Sequence, residues 1–157
     1  MNNILRSRAF QLPILSSVAL LISCSSPSSI KPFATDGCSL FPDKSLITKK
    51  DWCDCCLAHD FAYWRGGTAD QRLAADKALQ ACVANTTGNK ALAELMLVGV
   101  RSGGGPYYFT TYRWGYGWPF GREYKPLTPE EKIEADKAEQ AFRSAHPHMS
   151  CEDAMHQ

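Results

Sequence analysis

The chain has 157 residues, 45% of them hydrophobic, with a formal net charge of +1 and seven cysteines. That length supports one modest core, and the near-balanced charge lacks the basic excess expected of a nucleic-acid binder. It also carries no phosphate-cradling loop and no dinucleotide fingerprint.

Arg6 and Arg8 precede an apolar run from Phe10 to Ile22 that is broken by Gln11, Pro13 and Ser16-Ser17. The run is too short and too interrupted for a membrane span and has the build of an export signal. Leu21-Ile22-Ser23-Cys24 resembles the lipobox of bacterial lipoproteins, which implies cleavage after residue 23 and lipidation of Cys24. The expected organisation is a signal over 1–23, an anchored cysteine and flexible tether over 24–35, and a domain over 36–157. The implied location is a lipid anchor in the bacterial cell envelope, on the outer membrane and facing either the periplasm or the surface if the source is Gram-negative. Setting Cys24 aside leaves Cys38, Cys53, Cys55, Cys56, Cys82 and Cys151, an even set suited to disulfides in an oxidising compartment.

Asp36-Gly37-Cys38-Ser39-Leu40-Phe41-Pro42-Asp43 reads as a turn-rich acidic loop. Thr48 then offers an N-cap for a helix over 49–65, stopped by Gly66-Gly67. On that helix Cys55, His59 and Tyr63 share one stripe, and Cys53, Cys56 and Asp60 share the next. Thr68 caps a second helix to about residue 83, with Asn85-Thr86-Thr87-Gly88 ending it. The short connection makes the two helices antiparallel neighbours. A third helix spans about 89–101, with Leu92, Leu95, Met96 and Gly99 spaced for core packing.

Residues 107–124 are crowded with Tyr, Trp, Phe, Gly and Arg. They form either a short hairpin or an irregular loop packed by its own rings, and a role at a bilayer headgroup level competes with plain self-packing. Thr128-Pro129-Glu130-Glu131 opens a last helix, whose inward stripe is expected at Ile133, Ala138, Ala141 and Phe142. His146, His148 and His156 fall in a polar tail.

Cys55-Cys56-Leu57-Ala58-His59-Asp60, followed by Tyr63, resembles the active-site helix of secreted phospholipase A2, in its prokaryotic form. Asp76 through Cys82 keeps the spacing that this family places between a histidine-orienting aspartate and a partner cysteine. The resemblance covers roughly residues 36–82. It implies a mainly α fold built on a disulfide-linked antiparallel helix pair, with additional helices and the aromatic segment. It further implies His59 as general base, Asp76 as its orienting carboxylate and Tyr63 as a supporting hydroxyl. Calcium would be held by Asp60 and the backbone of Gly37, Ser39 and Phe41, with Asp43 as an optional side-chain ligand. The implied bridges are Cys38–Cys56, Cys55–Cys82 and Cys53–Cys151, and the implied reaction is hydrolysis of a phospholipid acyl ester at a membrane surface. The family's calcium loop is usually richer in glycine than this one.

Two other function classes compete with the hydrolase. A zinc module would use Cys53, Cys55, Cys56 and His59, but adjacent cysteines on a helix diverge by roughly 100°. A non-catalytic envelope or lipid-binding lipoprotein could keep the same disulfide scaffold.

Overall fold

The computed structural model describes residues 30–39, 41–45, 50–147 and 150–154. The signal segment, Cys24, Thr48, His148 and His156 lie outside the described residues. The chain is mainly helical: α1 is Cys53–Arg65, α2 Ala69–Thr87, α3 Lys90–Gly103, α4 Pro129–Ala145 and α5 Cys151–Ala154. No strand forms among the described residues, where β pairing is limited to one isolated bridge between Lys44 and Asp51.

That bridge explains why α1 starts later than its sequence suggests. The backbone of Lys50 accepts from Ser45 N at 2.8 Å, and Trp52 N donates to Asp43 O at 2.9 Å. Residues 50–52 are therefore committed to the preceding loop, and Asp51 Oδ1 takes the Cys53 N–H at the true helix start. The other boundaries have local causes. Thr68 and Thr128 close capping boxes with Gln71 and Glu131, and Asn89 caps α3 through Leu92 N. Gly88, at φ 72°, ends α2 in the left-handed conformation that glycine adopts without penalty.

A three-residue connection joins α1 to α2, and a disulfide ties Cys55 near the start of α1 to Cys82 near the end of α2. The two helices must therefore run antiparallel, and α3 packs back on α2 after a two-residue turn. Cys38–Cys56 clips the acidic loop to α1, and Cys53–Cys151 holds α5 against it.

α1 is the axis of the molecule because it is buried on both sides. One core joins Cys55 and Cys56 to Leu79, Val83, Ala93 and Met96 of α2 and α3. A second joins Phe61 and Trp64 to Ile30, Phe33, Trp118, Leu127 and Ala135. A helix with apolar residues on two separate faces lies between two packed layers.

Three expectations change. Residues 30–33, expected within a flexible tether over 24–35, pack on the folded body: Ile30 and Phe33 are buried, Phe33 stacks on Phe61 with centroids 3.8 Å apart, and Lys31 O accepts from Trp64 Nε1. The Ser/Pro-rich composition around them hid two apolar side chains that the second core needs. On α4 the inward residues are Ala135, Ala138 and Phe142, while Ile133 is 68% exposed and Ala141 is also exposed. The small Ala135, fully buried, sets how closely α4 approaches. On α3, Leu95 is exposed and only its neighbours on the Leu92–Met96 side reach the core.

The aromatic segment forms turns, and part of it serves as the C-terminal cap of α1. Gly115 N donates to Tyr63 O at 2.6 Å, Gly117 N to Trp64 O at 3.1 Å, and Trp118 Nε1 to Arg65 O at 2.7 Å. These are carbonyls a helix end leaves without intrahelical partners. Arg113 spends its guanidinium on the carbonyls of Trp114, Gly115 and Trp118, which locks the turn. Trp114 and Trp118 are consequently buried, whereas Tyr107, Tyr108, Phe109 and Phe120 remain exposed.

Candidate active site

The antiparallel pairing of α1 and α2 determines what faces what. Moving along α1 from Cys55 towards Tyr63 means moving back along α2 from Cys82 towards Arg72, so His59 and Tyr63 meet Asp76. His59 Nε2 lies 2.9 Å from Asp76 Oδ1, and Tyr63 donates its hydroxyl to the same oxygen at 2.8 Å. Asp76 has no solvent exposure, and His59 is 8% exposed.

Hydrogen-bond direction in this cluster follows from what each group can do. A carboxylate oxygen only accepts, so Nε2 carries the proton when Asp76 is ionised, and Nδ1 is left as the basic nitrogen of neutral His59. Arg72 Nε can only donate, and it donates to the Tyr63 hydroxyl at 2.9 Å. The single Tyr63 proton is then directed at Asp76. Burial opposes ionisation of Asp76, but hydrogen bonds from His59, Arg101 and Tyr63 outweigh it and hold its carboxyl below the usual range. Burial drives the Tyr63 phenol upward, so it stays protonated.

Arg101 occupies the other carboxylate oxygen, with NH1 2.7 Å from Asp76 Oδ2. Arg72, buried, anchors the far side by donating to the carbonyls of Val100 and Arg101 and to the Tyr124 hydroxyl. The last turn of α3 is thereby tied to the pair. Gly104 lets it close in, because a Cβ there would lie 2.5 Å from Tyr63 Cε1.

Neither arginine was among the residues the sequence singled out. Arg72 stands four residues before Asp76 on one helix face, a spacing that could have exposed it. Arg101 comes from another helix, and nothing in its sequence surroundings marks it.

Asp60 lies on the adjacent stripe and is also buried. Its Oδ2 accepts from the Thr35 hydroxyl at 2.5 Å, and Thr35 Oγ1 in turn accepts from Gly37 N at 3.1 Å. Thr35 is a further site residue the sequence reading missed; its signal was the hydroxyl two positions before a glycine turn. Burial pushes the Asp60 carboxyl up to about 8, the Thr35 bond opposes the shift, and the charges of Asp36 and Asp43 add to it.

The acidic loop forms the wall next to Asp60. Gly37, Ser39 and Phe41 line the same cavity as His59, Asp60 and Tyr63, a cleft of about 120 Å³. Its other walls include Leu79, Met96 and Val100, so an apolar wall stands beside the polar cluster. Ser39 sits at φ 55°, the left-handed region where glycine is usual, and its hydroxyl bonds Asp36. Asp43 is used structurally: its Oδ1 accepts Cys38 N at 2.8 Å.

A buried carboxylate whose ionisation is opposed by two acidic neighbours has the donor chemistry that suits a hard divalent cation with oxygen preference. Thiolate ligation of zinc does not fit, because Cys53, Cys55 and Cys56 are all in disulfides. Asp43, Cys53 and Cys151 also lie close enough for a metal, but the two sulfurs are bonded to each other.

No protein-family model, no curated protein and no solved structure matches the chain.

Proposed function

We propose that the protein is a calcium-dependent phospholipid acyl-ester hydrolase with a phospholipase A2-type helix pair. The observation that carries this reading is the buried His59–Asp76 pair opening, together with the Asp60 carboxylate, onto one apolar cleft.

Asp60 and the backbone oxygens of Gly37, Ser39 and Phe41 would hold calcium. When bound, the ion would supply positive charge for a carbonyl oxygen that becomes an oxyanion. His59 Nδ1 takes a proton from water as the water oxygen bonds to the ester carbonyl carbon. Asp76 stabilises the imidazolium through Nε2–H and keeps the tautomer that leaves Nδ1 basic. Collapse of the tetrahedral species breaks the acyl–oxygen bond, and the leaving glyceryl oxygen recovers the proton from Nδ1. The products are a fatty acid and a lysophospholipid. Tyr63 and Arg101 hold Asp76 in place without touching substrate, and the apolar wall accepts an acyl chain. The sn-2 ester is the position the family resemblance implies.

Export and lipidation at Cys24 would place this activity at a membrane, with phospholipid as the partner. The test is a calcium titration of fatty-acid release from mixed phospholipid micelles carrying a labelled sn-2 chain. Calcium-dependent release is expected. Calcium-independent phospholipid binding with no release from any phospholipid would instead establish the lipid-binding lipoprotein on the same scaffold.

A further inference from the structure

Phe109 is 88% exposed and Phe120 47%, yet the two rings stack with centroids 4.0 Å apart. An ordered aromatic pair held out into solvent is unlike a scattered surface side chain, because the fold maintains it. Its base is rigid: Arg113, whose guanidinium is fixed on three carbonyls, lies 5.4 Å from the Phe120 ring. The pair borders a groove shared with Lys31, Pro32 and Tyr112, and Tyr112 also lines the cleft that contains His59.

We propose that Phe109 and Phe120 are a wedge that seats the domain in the bilayer carrying its own lipid anchor, with the cleft mouth turned to that same membrane. This rests on the phospholipid reading of the cleft and on Cys24 as the anchor.

The tether supplies the geometric argument. The chain joins the folded body at Ile30, which is buried, and Lys31 N donates to Gly117 O beside the aromatic turn. Five residues lie between Cys24 and Ile30, and the six residue steps that join the two reach only about 20 Å when fully extended. An anchored chain therefore keeps the Lys31 side of the domain next to its bilayer, and that side carries the wedge. A second copy of the chain is a poor occupant. Two partly exposed rings offer roughly 300 Å² at most, against roughly 800 Å² per partner in a stable interface. The groove is not strongly basic either, since Asp36 faces it along with Lys31. Seating is therefore apolar, and it resists salt.

The test uses the full mature protein in a His59→Gln background, reconstituted in vesicles of phosphatidylcholine with brominated acyl chains, with and without Phe109→Trp. The native tryptophans 52, 64, 114 and 118 are all buried, so the difference spectrum reports residue 109. The expected result is a blue-shifted emission that bromine quenches, unchanged at high salt. Phe120→Ser should weaken that quenching severalfold.

An added tryptophan with water-like, unquenched emission overturns the proposal, as does a mature product without lipid on Cys24. With active protein, labelled phospholipid in the host vesicles should be hydrolysed at least about tenfold faster than the same label in separately added vesicles. Equal rates overturn the shared-membrane orientation. An inserted tryptophan on a protein whose active form releases no fatty acid removes the hydrolase reading and leaves the wedge standing.

Discussion

Asp60 concentrates the electrostatic tension of the site. Its ionised form is opposed by burial and by Asp36 and Asp43, so in the absence of a cation the proton leaves only near pH 8. The folded-state value lies above the unfolded value of 3.8, so the folded protein binds this proton more tightly than the unfolded chain does. With chelator present, this group's contribution to stability is greatest at low pH and is lost as pH rises from about 4 to about 8. Thermal melts in chelator should show that trend in the wild type and lose it in Asp60→Asn. Calcium bound at Asp60 as proposed would displace the same proton, so its affinity should rise from pH 6 to pH 8, with proton release seen by calorimetry in buffers of different ionisation enthalpy. Arg101 acts one step further back, by holding Asp76 Oδ2 so that Oδ1 faces His59. Arg101→Met should lower kcat by about tenfold with KM unchanged, and Arg101→Lys should restore part of the loss.

The helix pair and the turn that caps it divide the structural work. In the aromatic segment, the self-packing considered from sequence is found in some rings and not in others. Trp114 and Trp118 pack inward and donate to backbone carbonyls, while Phe109 and Phe120 stay outside. Composition could not assign them, because inward and outward rings are the same residue types and differ only in the turn that carries them. Gly117 is where this element tolerates least change, since a Cβ there would lie 2.6 Å from Trp64 O. Gly117→Ala should destabilise the protein by about 1–3 kcal/mol in denaturant titrations.

The bridges differ in what they hold. Removing Cys53–Cys151 as a pair of serines frees α5, which makes no part of the cleft, and should cost about 2–4 kcal/mol of stability with kcat retained. Removing Cys55–Cys82 the same way loosens α1 against α2, and activity should fall together with stability. Equal kinetic effects of the two double variants would contradict the role given to the α1–α2 pairing.

Across the whole molecule, local signals carried further than long-range ones. Thr68 and Thr128 cap the helices they appeared to cap, and the stripes on α1 bring His59, Tyr63 and Asp60 to one cleft. The start of α1 was not legible, because a bridge between Lys44 and Asp51 claims residues that look helical. Ile30 and Phe33 were hidden for the opposite reason: a polar, proline-containing stretch masks two side chains that fill a distant core. Thr35 and Arg101 join the site only through contacts 25 residues away in sequence. Periodicity has no access to pairs of that kind.

The division of labour between His59 and Asp60 is the central claim, and one paired measurement tests it directly. Calorimetric calcium affinity and fatty-acid release from mixed micelles would be read on the same samples of wild type, His59→Gln and Asp60→Asn. His59→Gln is expected to bind calcium within about threefold of the wild type while hydrolysis falls by about three orders of magnitude or more. Asp60→Asn is expected to lose calcium affinity by at least about tenfold and to lose activity with it. Hydrolysis that survives His59→Gln, or calcium affinity that survives Asp60→Asn, would contradict the account.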